Sequence, residues 1–221
     1  MASLGGPKDS SAGAPENGGA ETASSSDLAR LDERARRIVA TAIELAEKGG
    51  FEAVRLRDVA ATAGVALGTL YRHFSSKEDL LVAALTEQIG LLEKRMETQP
   101  ATGATPAERV SSFFATATNG LCRRPMLARA MLRATTSGLP ELTEKVAAFH
   151  GRMNGMIAQA IQGPSSAGTA GGAPMDENLR ERSFLLTQVW FAALVGWSGG
   201  VHDETKAVAQ VRNAAAIILP N

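Results

Sequence analysis

The stretch Gly68-Thr69-Leu70-Tyr71-Arg72-His73 gathers side chains that can do chemistry at a surface. Read as a helix, it turns Leu70 and Phe74 to one side and leaves Gly68, Thr69, Arg72 and His73 on the other, with Tyr71 at the edge. The glycine permits close backbone approach, and the threonine can meet a thymine methyl or a phosphate. The arginine can read guanine or bind phosphate, and the tyrosine hydroxyl can donate to a phosphate. Such a face suits the major groove of duplex DNA. Lys77 sits in the first turn of the following helix, where the macrodipole disfavours a cation. It makes sense there if the same free N–H groups hold a phosphate; the competing reading is a solvated lysine balanced by Glu78 and Asp79. Between Phe51 and Lys77, Arg55, Arg57, Arg72 and Lys77 oppose only Glu52 and Asp58, a local positive surplus.

The elements that must position these groups are helical. Ile38, Ala42 and Leu45, with Val39, Ile43 and Ala46, define a first helix stopped by Gly49-Gly50. Leu56, Val59, Ala60 and Ala63 give a short second helix ended by Gly64, and Ala66 and Leu67 open the third. Val65 plugs the corner between them, so the pair reads as a helix-turn-helix. Ser75-Ser76-Lys77-Glu78 is a capping pattern for a long fourth helix, closed by Pro100. Pro106, Pro125 and Pro140 begin a fifth, sixth and seventh helix, and residues 176–199 and 203–219 form an eighth and ninth. No segment alternates with period two between hairpin turns, so the expected fold class is all-α with nine helices.

The segment from Gly64 to Leu81, GVALGTLYRHFSSKEDLL, together with Arg57-Asp58-Val59-Ala60 and the pattern from Ile38 to Ala53, resembles the DNA-binding signature of the tetracycline-repressor-like (TetR) family. The resemblance implies a three-helix DNA-binding head over residues 27–76 and a larger helical ligand-binding and dimerisation domain over 77–221. It also implies a homodimer that binds a palindromic operator as a transcriptional repressor. By this likeness the DNA-contacting set is Arg55, Arg57, Ala66, Leu67, Gly68, Thr69, Tyr71, Arg72, His73 and Lys77. Arg55 and Ala66 depart from the threonine or serine that the family often has there, and Ala66 forgoes a cap worth about 1 kcal/mol. A narrower likeness joins Val65–Arg72, Arg123-Arg124-Pro125-Met126-Leu127, Ala130–Ala134, Val189-Trp190 and Trp197 to repressors of bacterial cholesterol catabolism. It implies an apolar effector of the steroid or acyl-CoA type.

Length, composition and charge frame these readings. A 221-residue chain with 44% hydrophobic residues can bury a substantial core. Lysine plus arginine and aspartate plus glutamate are both 23, which excludes a polybasic chromatin-type protein but not a local basic surface. The single cysteine, Cys122, excludes an internal disulfide, and the scattered His73, His150 and His202 have no metal-ligand spacing. Neither metal nor cofactor is expected. The longest apolar stretch, Phe184 to Trp197, falls short of the roughly 20 residues a bilayer needs, and a cytoplasmic protein is expected. Residues 1–26, rich in Gly, Ser, Ala and Pro, read as a disordered tail, and residues 163–175 as a flexible loop.

Apolar side chains in helices five to eight are candidates for either core or cavity wall: Phe113, Phe114, Met126, Met131, Phe149, Met153 and Trp190. Methionine adapts to bulky ligands, and Arg123, Arg124, Arg129 and Arg133 can frame a mouth for an anionic group. The eighth helix is apolar nearly all round, so it must be covered on every side. Phe184, Phe191 and Val195, with Val208, Val211, Ala215 and Ile218 of the ninth helix, are the expected dimer interface, which sets two recognition helices ~34–36 Å apart.

Two rival functions remain at this stage. Gly196-Trp197-Ser198-Gly199-Gly200 fits the G-x-S-x-G nucleophile elbow of hydrolases, yet that elbow needs a preceding strand and a later acid-then-histidine order. Here a helix precedes it, and His202 comes before Asp203. A helical adaptor that does not bind DNA would leave the clustering of Gly68, Thr69, Tyr71, Arg72 and Lys77 without a cause.

Overall fold

In the computed structural model, residues 25–163 and 176–220 are described. Among them the chain forms α1 (Ser25–Ala53), α2 (Leu56–Thr62), α3 (Leu67–His73), α4 (Lys77–Thr98), α5 (Pro106–Cys122), α6 (Pro125–Thr135), a 3-10 turn (Pro140–Leu142), α7 (Thr143–Gln162), α8 (Glu177–Ser198) and α9 (Glu204–Ile218), and no strand. Ser25 and Ser26, expected to belong to a tail over residues 1–26, are part of α1; residues 1–24 and 164–175 lie outside the described residues.

The breaks fall where backbone chemistry requires them. Regular helix in α1 stops at Gly49 and Gly50, and Gly50 adopts φ 65° and ψ −155°, a conformation that side chains disfavour. Gly64, at φ 66°, turns the chain from α2 into α3, and the Val65 amide donates to the Ala60 carbonyl at 3.0 Å. Thr105 and Glu108 form a full capping box for α5, with Pro106 in its first turn. At α4 the cap is Ser76, whose Oγ accepts from the Asp79 amide at 3.1 Å. Asp79 then reaches back to the backbone N–H and hydroxyl of Ser75 and pairs with Lys145 of α7.

Ile38, Ala42 and Ala46 of α1, Val59 of α2 and Leu70 of α3 are buried to within 3% and hold the three-helix head together. α6 packs against both α1 and α4, so it stands between the head and the rest of the bundle. α8 and α9 pack on each other, and α9 also on α5.

That last packing corrects part of the expected interface. Val211 and Ala215 are fully buried within their own chain and cannot meet a partner, because the inward stripe of α9 serves its own bundle. Phe191 is half-buried and faces the cavity described below. Phe184 and Val195 remain exposed, Val208 and Ile218 half-buried. Leu185 of α8 at 43% and Ile217 of α9 at 79% exposure are further exposed apolar side chains that were not among the expected residues.

Candidate nucleic-acid interface and effector cavity

The expected recognition face is open. Leu70 is fully buried and Phe74 nearly so, which orients α3 as its apolar spacing requires. Gly68 and Arg72 are exposed, Tyr71 is 54% exposed, and Thr69, Leu67 and His73 are half-buried. A Cβ built on Gly68 meets nothing within 4 Å, so the helix surface is clear at its centre. An Arg72 guanidinium nitrogen donates to Thr69 Oγ1 at 3.0 Å, which holds both polar groups on one face. Ala66 starts the helix without a side-chain cap, and its carbonyl accepts from the Thr69 amide at 2.8 Å. Arg55, which precedes α2, and Arg57, in its first turn, are exposed.

Lys77 pairs with the end of α1 and not with Glu78 or Asp79 of its own helix. Its Nζ lies 3.9 Å from the centroid of the Phe51 ring and 3.5 Å from a carboxylate oxygen of Glu52. Arg133 of α6 covers the same ring at 4.0 Å and donates to Glu52 at 2.9 Å. The charge of Lys77, then the Arg133 hydrogen bond, hold the Glu52 carboxyl below its ordinary range. The end of α1 is thereby joined to α4 and α6 through one aromatic ring and one carboxylate.

A cavity of about 280 Å³ opens between α4, α5, α6, α7 and α8. Leu85, Ile89, Leu121, Met131, Leu132, Phe149, Trp190, Phe191 and Leu194 give it an apolar wall, while Gln88, Arg95, Arg123 and Arg124 add polar groups. Its size lies near the lower end of ligand pockets, and its mixture of apolar wall and few polar groups is typical of them. Trp190 contributes only its indole surface, because its N–H donates to Thr118 Oγ1 at 3.0 Å.

Of the residues expected to line a pocket, Met131, Phe149 and Trp190 do so. Phe113, Phe114 and Met153 are buried core away from the cavity. Met126 is 40% exposed and off the cavity wall, its methyl lying against Gly50, where an added Cβ would stand 3.1 Å from it. Arg123 and Arg124 border the cavity, whereas Arg129 sits over Trp197 at 5.3 Å and Arg133 over Phe51. The contribution of α4 was missed, although Gln88 and Arg95, seven apart beside the Leu85, Ile89 and Leu92 stripe, are the polar breaks that mark it.

Among the described residues no group of three His, Cys, Asp or Glu side chains could hold a metal ion. Burial pushes the Cys122 thiol up to about 11, and Ser198 donates to the Val195 carbonyl at 2.9 Å from the end of a helix, not from a strand-to-helix elbow. No described helix is long and apolar enough to cross a membrane.

A helix-turn-helix head on a helical bundle with an internal apolar cavity defines a class of one-component DNA-binding regulators. Residues 38–84 match the family described as bacterial regulatory proteins, tetR family, and residues 103–218 match the tetracyclin repressor-like C-terminal domain. The chain belongs to the tetR family of transcriptional regulators. It is 32% identical over 165 residues to the HTH-type transcriptional repressor KstR of Mycobacterium tuberculosis, covering 75% of this chain and 71% of that one. A TetR transcriptional regulator from Rhodococcus sp. RHA1 superposes with a TM-score of 0.73 at 30% identity, over 86% of this chain and 97% of that chain. The fold is shared with FadR of Bacillus subtilis, solved in complex with stearoyl-CoA, at a TM-score of 0.57 and 21% identity over 84% and 97% of the two chains.

Proposed function

We propose that this protein is a dimeric repressor that sets α3 of each protomer in the major groove of a palindromic operator and leaves the DNA when an effector fills the cavity. The observation that carries the reading is the free polar face of α3, with Gly68, Thr69, Tyr71 and Arg72 outward over the buried Leu70. Thr69 and Arg72 read bases. Tyr71, Arg55, Arg57 and Lys77 hold phosphates, His73 lies at the helix end, and Leu67 packs at its start. Phe184, Leu185 and Val195 of α8 with half-buried Val208 and Ile218 of α9 form the two-fold interface, which a second copy would cover.

The effector has an apolar body and an anionic end. Met131, Phe149, Trp190 and Phe191 accept the first, and Arg95, Arg123 and Arg124 the second. An acyl or steroid group carried as a coenzyme A thioester has this chemistry, with the bulk of the coenzyme outside the cavity. The test is fluorescence anisotropy on the duplex upstream of the protein's own gene, with and without stearoyl-CoA. Saturable binding reversed by stearoyl-CoA supports both parts of the reading. Binding unaffected by stearoyl-CoA or by a steroid-CoA thioester would remove the effector class.

A further inference from the structure

α6 carries two arginines onto α1, and they differ in one respect. Arg124, at its N-terminus, donates to Glu47 at 2.8 Å, and Arg133, in its last turn, donates to Glu52 at 2.9 Å. Arg124 also borders the cavity, and its other guanidinium nitrogen donates to Gln88 of α4 at 3.1 Å, itself a cavity residue. Arg133 is absent from the cavity wall and is instead packed on the Phe51 ring, which Lys77 also contacts. Only the first pair is therefore within reach of a bound molecule.

We propose that Arg124–Glu47 is a clasp between the ligand domain and the DNA-binding head, and that the anionic group of the effector opens it by competing with Glu47 for Arg124. The proposal rests on the cavity being the effector site. Glu47 lies on the same helix as Ile38, Ala42 and Ala46, which anchor α2 and α3, so losing the clasp frees the head on the α6 side while Phe51, Glu52 and Arg133 remain as a pivot. An anion that takes Arg124 as a bidentate pair needs both terminal nitrogens, one of which Glu47 holds and the other Gln88, so that pairing and the clasp exclude each other. This exclusion supplies the differential affinity for two head positions that any effector needs in order to shift them. By reciprocity, DNA that favours the clasped head weakens effector binding by the same factor.

Both side chains are part-exposed, 42% and 37%, and exposed pairs of this kind contribute up to about fivefold in an equilibrium. The distinguishing test uses 8-anilinonaphthalene-1-sulfonate, a probe with an apolar body and one anionic group, and follows its fluorescence on the full chain. Glu47→Gln leaves Arg124 without its competitor, and dye affinity rises about two- to fivefold. Arg124→Gln removes the receiving cation, and affinity falls by a similar factor. In both variants amide hydrogen exchange across residues 38–53 speeds up, because the head has lost a tether. The exchanged pair Glu47→Arg with Arg124→Glu restores slow exchange but not dye binding.

A merely structural ion pair would move dye affinity the same way in both single variants. That result, or unchanged exchange in both, overturns the clasp. Failure of stearoyl-CoA to release wild-type protein from DNA counts against the effector reading alone, since the dye and exchange measurements use no DNA.

Discussion

The indole N–H of Trp190 donates to the hydroxyl of Thr118 across 3.0 Å, with both residues buried. The bond ties α8 to α5 and turns the polar edge of the largest aromatic at the cavity toward a protein partner. An apolar ligand therefore meets no unsatisfied donor on that wall. Thr118→Val keeps the volume and deletes the acceptor, so the indole N–H is stranded. The expected loss is about 1–3 kcal/mol of unfolding stability, read from a denaturant midpoint at unchanged slope. An unchanged midpoint would show that the indole finds another acceptor.

Lys77 is held by Glu52 and the Phe51 ring in the DNA-free protein, at the N-terminus of a helix where a phosphate would also be welcome. Its handover to a phosphate predicts that Lys77→Ala weakens binding to all duplexes by similar factors. It should also reduce the magnitude of the log affinity–log salt slope by about 1 for each half-site. Loss confined to one sequence would assign Lys77 a base contact.

Arg72 behaves oppositely. Its pairing with Thr69 at 3.0 Å sets both on the open face of α3, where a bidentate arginine contact discriminates a base by about 1–3 kcal/mol. Arg72→Ala is expected to flatten preference at one symmetric pair of operator positions in a panel of single-base variants, with the remaining positions unaffected. Uniform weakening across the panel would place Arg72 on the backbone.

His150 gives a pH prediction. Its ring lies edge-on between Phe149 at 5.0 Å and Phe191 at 5.6 Å, its Nδ1 is buried without a hydrogen-bond partner, and burial lowers its pKa below 6.5. The unfolded chain therefore takes up a proton before the folded one does. The stabilising contribution is complete above the unfolded value of about 6.5 and declines as pH falls from there toward the lower folded value. Thermal melts between pH 7.5 and 5.5 should show this decline in the wild type and lack it in His150→Phe. The same slope in both would assign the acid sensitivity elsewhere.

The helices and the reading face were legible because their signals are local. Proline, glycine and capping side chains mark the ends, and the spacing of Leu70 and Phe74 alone decides which way α3 faces. The cavity was only partly legible. Phe113, Phe114 and Met153 have the same inward spacing as Met131 and Phe149, and periodicity separates inside from outside but not filled core from empty space. Val211 and Ala215 fail as interface residues for a related reason: one apolar stripe on α9 can satisfy its own bundle or a partner, and packing against α5 and α8 takes it. The partners of Lys77 and Arg124 come from α1, distant in sequence, so no local pattern points to Phe51, Glu52 or Glu47.

The central claim is that two copies of α3 read one symmetric site. Its most direct measurement is a salt series of anisotropy titrations with the upstream duplex, run beside a duplex in which one half-site is scrambled. Steep loss of affinity with salt, a stoichiometry of protomers to duplex that is a multiple of two, and collapse of binding on scrambling one half-site are the predicted results. Salt-independent binding, or full affinity for a single half-site, would contradict it.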